Sequence, residues 1–238
     1  MAETDPRTPR ERYRAQVRDE IKKHARSQIG TAGASALSLN AIAKQMGMSG
    51  PALYRYFANR DELITALVSD AYRSLADAFR DRAAAGAADL PGLAEELRRW
   101  TLEDPQRYFL VYGTPVPGYR APDETVRIAS EIMDVLLDAC AAAEAAPGAA
   151  EAAPGAAEAA PGAAEPLEAH LAEHRAWAGE HPAPAPALRR ALVFWTRLHG
   201  VLSLELAGHF TGMGFDPARL YAAEAATQQP TWRGTPDA

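Results

Sequence analysis

Cysteine is almost missing from these 238 residues. Cys140 is the single one, so no internal disulfide braces the chain. It lies in an apolar helical run, where a packed thiol is expected rather than a redox switch. Long apolar runs are missing as well. No stretch approaches the roughly 18 residues of a membrane span, so no transmembrane helix is expected. The first residues, Met-Ala-Glu-Thr-Asp-Pro-Arg-Thr-Pro-Arg, lack the apolar core of a secretory leader. The expected location is cytoplasmic and no membrane partner is expected. The alternation of a half-buried strand appears nowhere, which excludes β and α/β classes. There is no phosphate-cradling glycine loop, no Gly-x-Ser-x-Gly elbow and no placeable pairing of nucleophile and base. Catalysis is therefore not expected, and no cofactor is called for. His170 and His174 stand at i, i+4 with His181 following, but no cysteine or spaced carboxylate completes a ligand set, so no metal site is expected.

Charge is present, and it is unevenly distributed. The net value of −6, taken alone, argues against a polyanionic partner. Residues 1–60, however, hold 11 Lys/Arg against 5 Asp/Glu, a net of +6, while residues 61–238 hold 14 against 26, a net of −12. A basic head on an acidic body is the footprint of a protein that meets a polyanion at one end.

Helical periodicity runs through most of the chain. Residues 1–9 read as a disordered arm, and 10–32 as a helix with Tyr13, Val17, Ile21, Ala25 and Ile29 on one face. Ser38 caps a short helix over 39–46 whose Ile42, Ala43 and Met46 face inward. Gly47 suits a left-handed turn. Ser49 caps a third helix, with Gly50 and Pro51 in its first turn and Leu53 and Phe57 inward. A long helix follows from Asp61 to about Arg82, then helices from Pro91, from Asp104-Pro105 (Tyr108, Phe109, Tyr112) and from Asp123, the last with Val126, Ile132 and Met133 on its apolar face. Residues 144–165 carry Glu-Ala-Ala-Pro-Gly-Ala-Ala three times. Pro-Gly in every unit excludes a coiled coil, and the segment reads as a flexible insert without a site. A short helix over 166–179 and an extended His-Pro-Ala-Pro-Ala-Pro connector follow. The helix over 187–207 has two apolar stripes, one with Leu188, Leu192, Trp195, His199, Leu202 and Leu206, the other with Ala191, Phe194, Leu198, Val201 and Ala207. A helix apolar nearly all round needs cover on both sides, and the simplest second cover is another copy of the chain. Arg197 and Glu205, eight residues apart on it, read as interface or surface charges. A final helix starts at Asp216-Pro217, and the tail after Thr227 reads as loose.

The run from Leu37 to Leu63, with Leu-Tyr-x-Tyr-Phe followed by Arg-Asp-Glu-Leu, resembles the DNA-binding head of TetR-type transcriptional regulators. Trp195, His199 and Gly200 are similar to the Trp-x-x-x-His-Gly signature of one subgroup of that family. The resemblance implies an all-α fold with an N-terminal three-helix helix-turn-helix head over 10–60 and a C-terminal bundle of about six helices over 61–227. It implies a homodimer through the helices at 187–207 and from Asp216, bound to a palindromic double-stranded DNA operator. It also implies release by a small-molecule effector that changes the spacing of the two heads through the long fourth helix. The repressor role is the family's usual one.

Candidate DNA contacts are Ser38, Asn40, Ser49, Gly50, Pro51, Ala52, Tyr54, Arg55, Tyr56 and Arg60. The tyrosine hydroxyls suit phosphate, Arg55 suits guanine O6/N7, and Ser38, Asn40 and Arg60 flank the motif to hold the backbone. One of Tyr54 and Tyr56 has to lean towards Phe57, and the spacing alone does not say which. Candidate effector contacts are Trp100, Tyr108, Phe109, Tyr112, Met133, Trp195 and His199, aromatic or soft residues with a few polar handles. The same pattern is also that of plain helical core, and His199 fits either a ligand handle or a core histidine. The alternative function is an all-α protein binding a small molecule or metal with an idle head.

Overall fold

Why the first helix begins where it does is visible in its cap. Thr8 Oγ1 accepts the Glu11 backbone N–H at 3.3 Å, and Glu11 Oε2 accepts the Thr8 N–H at 2.7 Å, a reciprocal box that satisfies two otherwise orphaned donors. The expected arm is thus already helical at Pro9. The computed structural model describes residues 8–113, 118–146 and 164–228. Residues 1–7, most of the 144–165 repeat and the tail from 229 lie outside them, so the expectations of a disordered arm, a flexible insert and a loose tail fall largely there. Among the described residues there are ten α-helices and no strand. They are α1 (Pro9–Ala32), α2 (Leu39–Gln45), α3 (Gly50–Leu53), α4 (Arg60–Ala84), α5 (Leu90–Glu103), α6 (Pro105–Tyr112), α7 (Asp123–Ala145), α8 (Ala164–Glu173), α9 (Ala185–Leu206) and α10 (Pro217–Ala226). No helix among them is long and apolar enough to cross a membrane.

The chain divides into two compact units, Met1–Tyr72 with Asp104–Thr125, and Arg73–Glu103 with Val126–Ala238. The first is larger than the helix-turn-helix alone. Val17, Ile21, Ala25 and Ile29 of α1 form a stripe at four-residue spacing that is buried against Ile42, Leu53, Phe57, Leu63, Ile64, Leu67 and Val68. Leu110 and Tyr119 pack on the same cluster. The start of α4 and Leu110 of α6 thus share the core of the helix-turn-helix. Tyr13, expected on the buried stripe, is 64% exposed, because α1 extends a turn beyond the core it covers.

The second unit is built on Leu75, Ala76 and Phe79 of α4, Leu93, Leu97 and Trp100 of α5, Ile132, Leu136 and Leu137 of α7, and Leu188, Ala191, Phe194, Leu198 and Leu202 of α9, all buried. Cys140 is buried among them, and burial pushes its thiol up to about 12, as befits a packed thiol. Three expectations need correction. Val126, read as an inward residue, is 56% exposed, because the buried face of α7 begins at Thr125 and Ile128. Glu144, read as the first residue of a siteless repeat, accepts a hydrogen bond from Arg190 Nε at 2.6 Å, and Arg190 Nη1 donates to the Gln228 carbonyl at 2.7 Å. A fully buried guanidinium needs both partners. Glu205, read with Arg197 as an interface or surface charge, is instead largely buried and takes Arg98 of α5, while Arg197 is half-exposed and faces Glu224 of α10.

Candidate nucleic-acid interface

The turn between α2 and α3 is set by Gly47 at φ 65°, where an L side chain would be strained. The Gly47 N–H reaches the Lys44 carbonyl at 3.2 Å and the Met48 N–H the Ala43 carbonyl at 2.9 Å, which ends α2 and turns the chain. Ser38 Oγ accepts the Ala41 N–H at 3.3 Å, so its hydroxyl serves as the cap of α2. Gln28 Oε1 of α1 accepts the Ser38 N–H at 3.0 Å, which fixes the entry to that helix. Ser49 occupies the corresponding position of α3, but its hydroxyl makes no cap hydrogen bond, contrary to expectation. It is exposed and left to face outward. The helical part of α3 is a single turn, and Tyr54, Arg55 and Tyr56 follow in turn conformation.

The two tyrosines separate clearly. Tyr54 is 45% exposed, whereas Tyr56 is half-buried against the head core. Phe57, with Leu53, is fully buried and draws the chain inward at that point. Pro51, Arg55 and Asn40 are exposed, while Gly50 and Ala52 are half-buried. Asn40 Oδ1 lies 3.6 Å from where a Gly50 Cβ would sit, so α2 and the start of α3 present adjoining surface. Arg60 turns back: its Nη2 donates to the Ala34 carbonyl at 2.7 Å. Two residues that the motif alone did not single out act on the same segment. Arg14 Nη2 donates to the Arg55 carbonyl at 3.1 Å, and Arg18 Nη1 donates to the Tyr56 carbonyl. Their signal in the sequence is the four-residue spacing of Arg14, Arg18 and Lys22. Lys44 is exposed on α2.

The candidate effector residues fall into both units. Tyr108, Phe109 and Tyr112 of α6 lie in the first, with ring centroids 5.7 Å apart for Tyr108–Phe109 and 5.4 Å for Tyr108–Tyr112, and Tyr72 meets Tyr112 edge-on at 6.0 Å. Burial raises the Tyr112 phenol well above its usual range. Trp100, Met133, Trp195 and His199 lie in the second. Trp100 is buried and donates its Nε1–H to Ser74 Oγ at 2.9 Å. Met133 is half-buried. Trp195 and His199 lean together at 4.3 Å. His199 Nε2 is shut off from solvent, and burial pulls the imidazole down to about 3. Two cavities of the second unit, of about 620 and 550 Å³, are lined by other residues, the first by the α4–α5 turn and α7, the second by α5 and α10.

His170 and His174 stack at 4.1 Å, with His174 Nδ1 2.9 Å from the His170 carbonyl oxygen, and His181 Nε2 lies 3.2 Å from Asp138. Among the described residues no group of three or more His, Cys, Asp or Glu is placed to hold a metal.

Known proteins match both parts of the chain. Residues 21–67 match the family described as bacterial regulatory proteins, tetR family, and residues 90–227 match the tetracyclin repressor-like C-terminal domain. The chain is 34% identical over 218 residues to the HTH-type transcriptional regulators Rv1816 of Mycobacterium tuberculosis and Mb1846 of Mycobacterium bovis, covering 89% of this chain and 90% of each relative. Among solved structures it is similar to SCO4313, reported as a regulatory protein, at 63% identity and a TM-score of 0.79, covering 93% of this chain and 98% of that one. A protein from Rhodococcus sp. RHA1, 20% identical with a TM-score of 0.60, shares the fold. These families hold regulators rather than enzymes, and TetR-family regulators bind DNA and usually act as dimers. With a helix-turn-helix head, an all-helical remainder and matches along nearly its whole length, the chain belongs to the TetR family of DNA-binding transcriptional regulators.

Proposed function

We propose that a homodimer of this chain occupies a two-fold symmetric DNA operator, represses transcription there, and is released when a small molecule binds its C-terminal helical part. The observation that carries the reading is the outward surface of Asn40, Ser49, Pro51, Tyr54 and Arg55 on a head that Ser38, Tyr56 and Arg60 hold together. In this reading α3 enters the major groove, Arg55 reads a guanine, and Tyr54, Ser49, Asn40 and Lys44 hold phosphate. Gly50 and Ala52 allow close approach. Ser38, Tyr56 and Arg60 contribute by shaping the head, Ser38 as a cap, Tyr56 as a wedge and Arg60 as a tie to Ala34.

The two copies pair through the outward face of α9 together with α10. Leu192, Val193, Trp195 and Leu206 are half-buried on α9 and Leu204 is 44% exposed, a surface that a second copy would cover. Pairing would set half-sites about 34–36 Å apart. Trp195 and His199 are the effector's handle in the second unit, with Met133 as a soft wall. Trp100, tied to Ser74, supplies rigidity within the second unit.

The test is selection of the purified protein against a randomised duplex library, followed by band-shift titration of the selected sequence. A two-fold consensus bound by two chains supports the reading. Recovery of no consensus, or binding by single chains to one half-site, would overturn it.

A further inference from the structure

Arg14, Arg18 and Lys22 stand at four-residue spacing on α1, so they form one cationic stripe beside the buried Val17–Ile21–Ala25 stripe. A basic stripe at one end of a DNA-binding protein reads at first as a row of phosphate ligands. Each member is instead engaged within the first unit. Arg14 donates to the Arg55 carbonyl at 3.1 Å and stands over the Tyr56 ring at 5.7 Å. Arg18 donates to the Tyr56 carbonyl, lies over the Phe57 ring at 4.1 Å and is 3.9 Å from Glu62. Lys22 meets Asp70 of α4 at 2.8 Å and Asp19 at 2.9 Å.

The reason for such a clamp lies in α3. Its helix is one turn long, and a single turn has no stability of its own. The amides after it bond backward, Tyr54 to Gly50, Arg55 to Ala52, and Tyr56 and Phe57 to Leu53. The carbonyls of Arg55 and Tyr56 point the other way, at a helix end where orphan carbonyls need donors. Two guanidiniums from α1 supply them, while Glu62 Oε2 accepts the Ala58 N–H at 2.6 Å and fixes the far side of the segment. The exposed Tyr54 and Arg55 side chains are thus carried on a backbone held from behind.

We propose that Arg14 and Arg18 are positioning residues for DNA recognition: they hold the 54–57 backbone from α1 and set the angle at which Tyr54 and Arg55 meet the groove, with Lys22 anchoring the same stripe to α4. This rests on the DNA-binding reading of the head. It divides the basic residues of the head into those that face DNA and those that aim them.

The experiment uses the full chain with Arg14→Gln and Arg18→Gln. The first readout is hydrogen exchange without DNA. The amides of residues 54–57 should exchange several-fold faster in each variant, while the Ile21 and Ile64 amides keep their protection. The second is affinity for the selected duplex and for an unrelated duplex across salt concentrations. The expected result is about tenfold weaker binding to the selected duplex, little change on the unrelated one, and an unaltered slope of log K against log salt. Equal weakening on both duplexes with a slope shallower by about one would make these arginines phosphate ligands and overturn the proposal. Unchanged exchange at 54–57 would overturn it as well. If Arg18→Gln does not fold, the exposed Arg14 carries both readouts. If the wild type selects no duplex, the DNA reading fails, and hydrogen exchange still decides whether the clamp exists.

Discussion

Arg98 on α5 and Glu205 on α9 meet in two parallel hydrogen bonds of 2.7 and 2.9 Å, a fork-to-carboxylate pairing between helices 107 residues apart in sequence. Arg98 also stands over the Tyr221 ring at 5.1 Å, and Tyr221 donates its hydroxyl to the Ala94 carbonyl at 2.6 Å. One guanidinium therefore ties α5 to both α9 and α10, the two helices proposed to pair the copies. Glu205 raises the Arg98 pKa further, so the cation is permanent. Replacing Glu205 with Gln is expected to cost about 2 kcal/mol, since the guanidinium stays in place with a weaker acceptor. Urea unfolding of Glu205→Gln, Arg98→Met and the double variant checks it. A coupling energy near zero would mean that the two side chains are adjacent without supporting each other.

Arg190 makes a stricter demand. Its side chain is 2% exposed, with Glu144 and the Gln228 carbonyl as partners. Glu144→Ala leaves a buried charge with one partner fewer and is expected to cost about 3 kcal/mol. Arg190→Met with Glu144→Ala, which removes both charges, should recover much of that loss. Thermal melting of the two variants separates the outcomes, and equal losses would count against the desolvation argument.

Arg55→Ala is expected to lose discrimination at one base pair of each half-site, at about 1–3 kcal/mol, with other positions unchanged. Binding to single-substitution duplexes measures it. Uniform weakening on every duplex would assign Arg55 to phosphate instead.

His199 sets a direction for acid sensitivity. Its imidazole is held at about 3 in the folded chain, well below the ordinary value of 6.5. Above 6.5 neither state binds the proton and stability is unaffected. As pH falls through 6.5 the unfolded chain gains a proton that the folded chain refuses, so stability drops progressively towards pH 3. By pH 5 the loss attributable to this group is about 2 kcal/mol. Denaturant titrations of wild type and His199→Asn at pH 7.5 and pH 5 test this: the difference between the two pH values should shrink by about that amount in the variant. An equal pH dependence in both would show that His199 titrates freely.

Much of the fold was legible before any coordinates. The four-residue recurrence of Val17, Ile21, Ala25 and Ile29, the Ser38 cap and the Gly47 turn are local signals, and the helices they announce form where expected. Less legible are the partners that distant helices bring: Glu205 reads as an interface or surface charge, yet it is largely buried against Arg98 of α5. The letters around Glu144 place it in the repeat, although α7 carries it into contact with Arg190. The position of Ser49 predicts a cap, yet its hydroxyl makes no capping hydrogen bond in the folded head.

The sequence by itself determined the all-helical class, the place of the helix-turn-helix and the basic character of its end, because caps, turn glycines, apolar spacing and charge counts act over a few residues. The tertiary structure alone decided which of Tyr54 and Tyr56 faces outward, that Arg60 turns back to Ala34, and that Arg14 and Arg18 grip the carbonyls of Arg55 and Tyr56. Those outcomes depend on which groups from distant parts of the chain arrive within hydrogen-bond reach. A helix periodicity places a residue on a face, and only the packing of that face says what it meets.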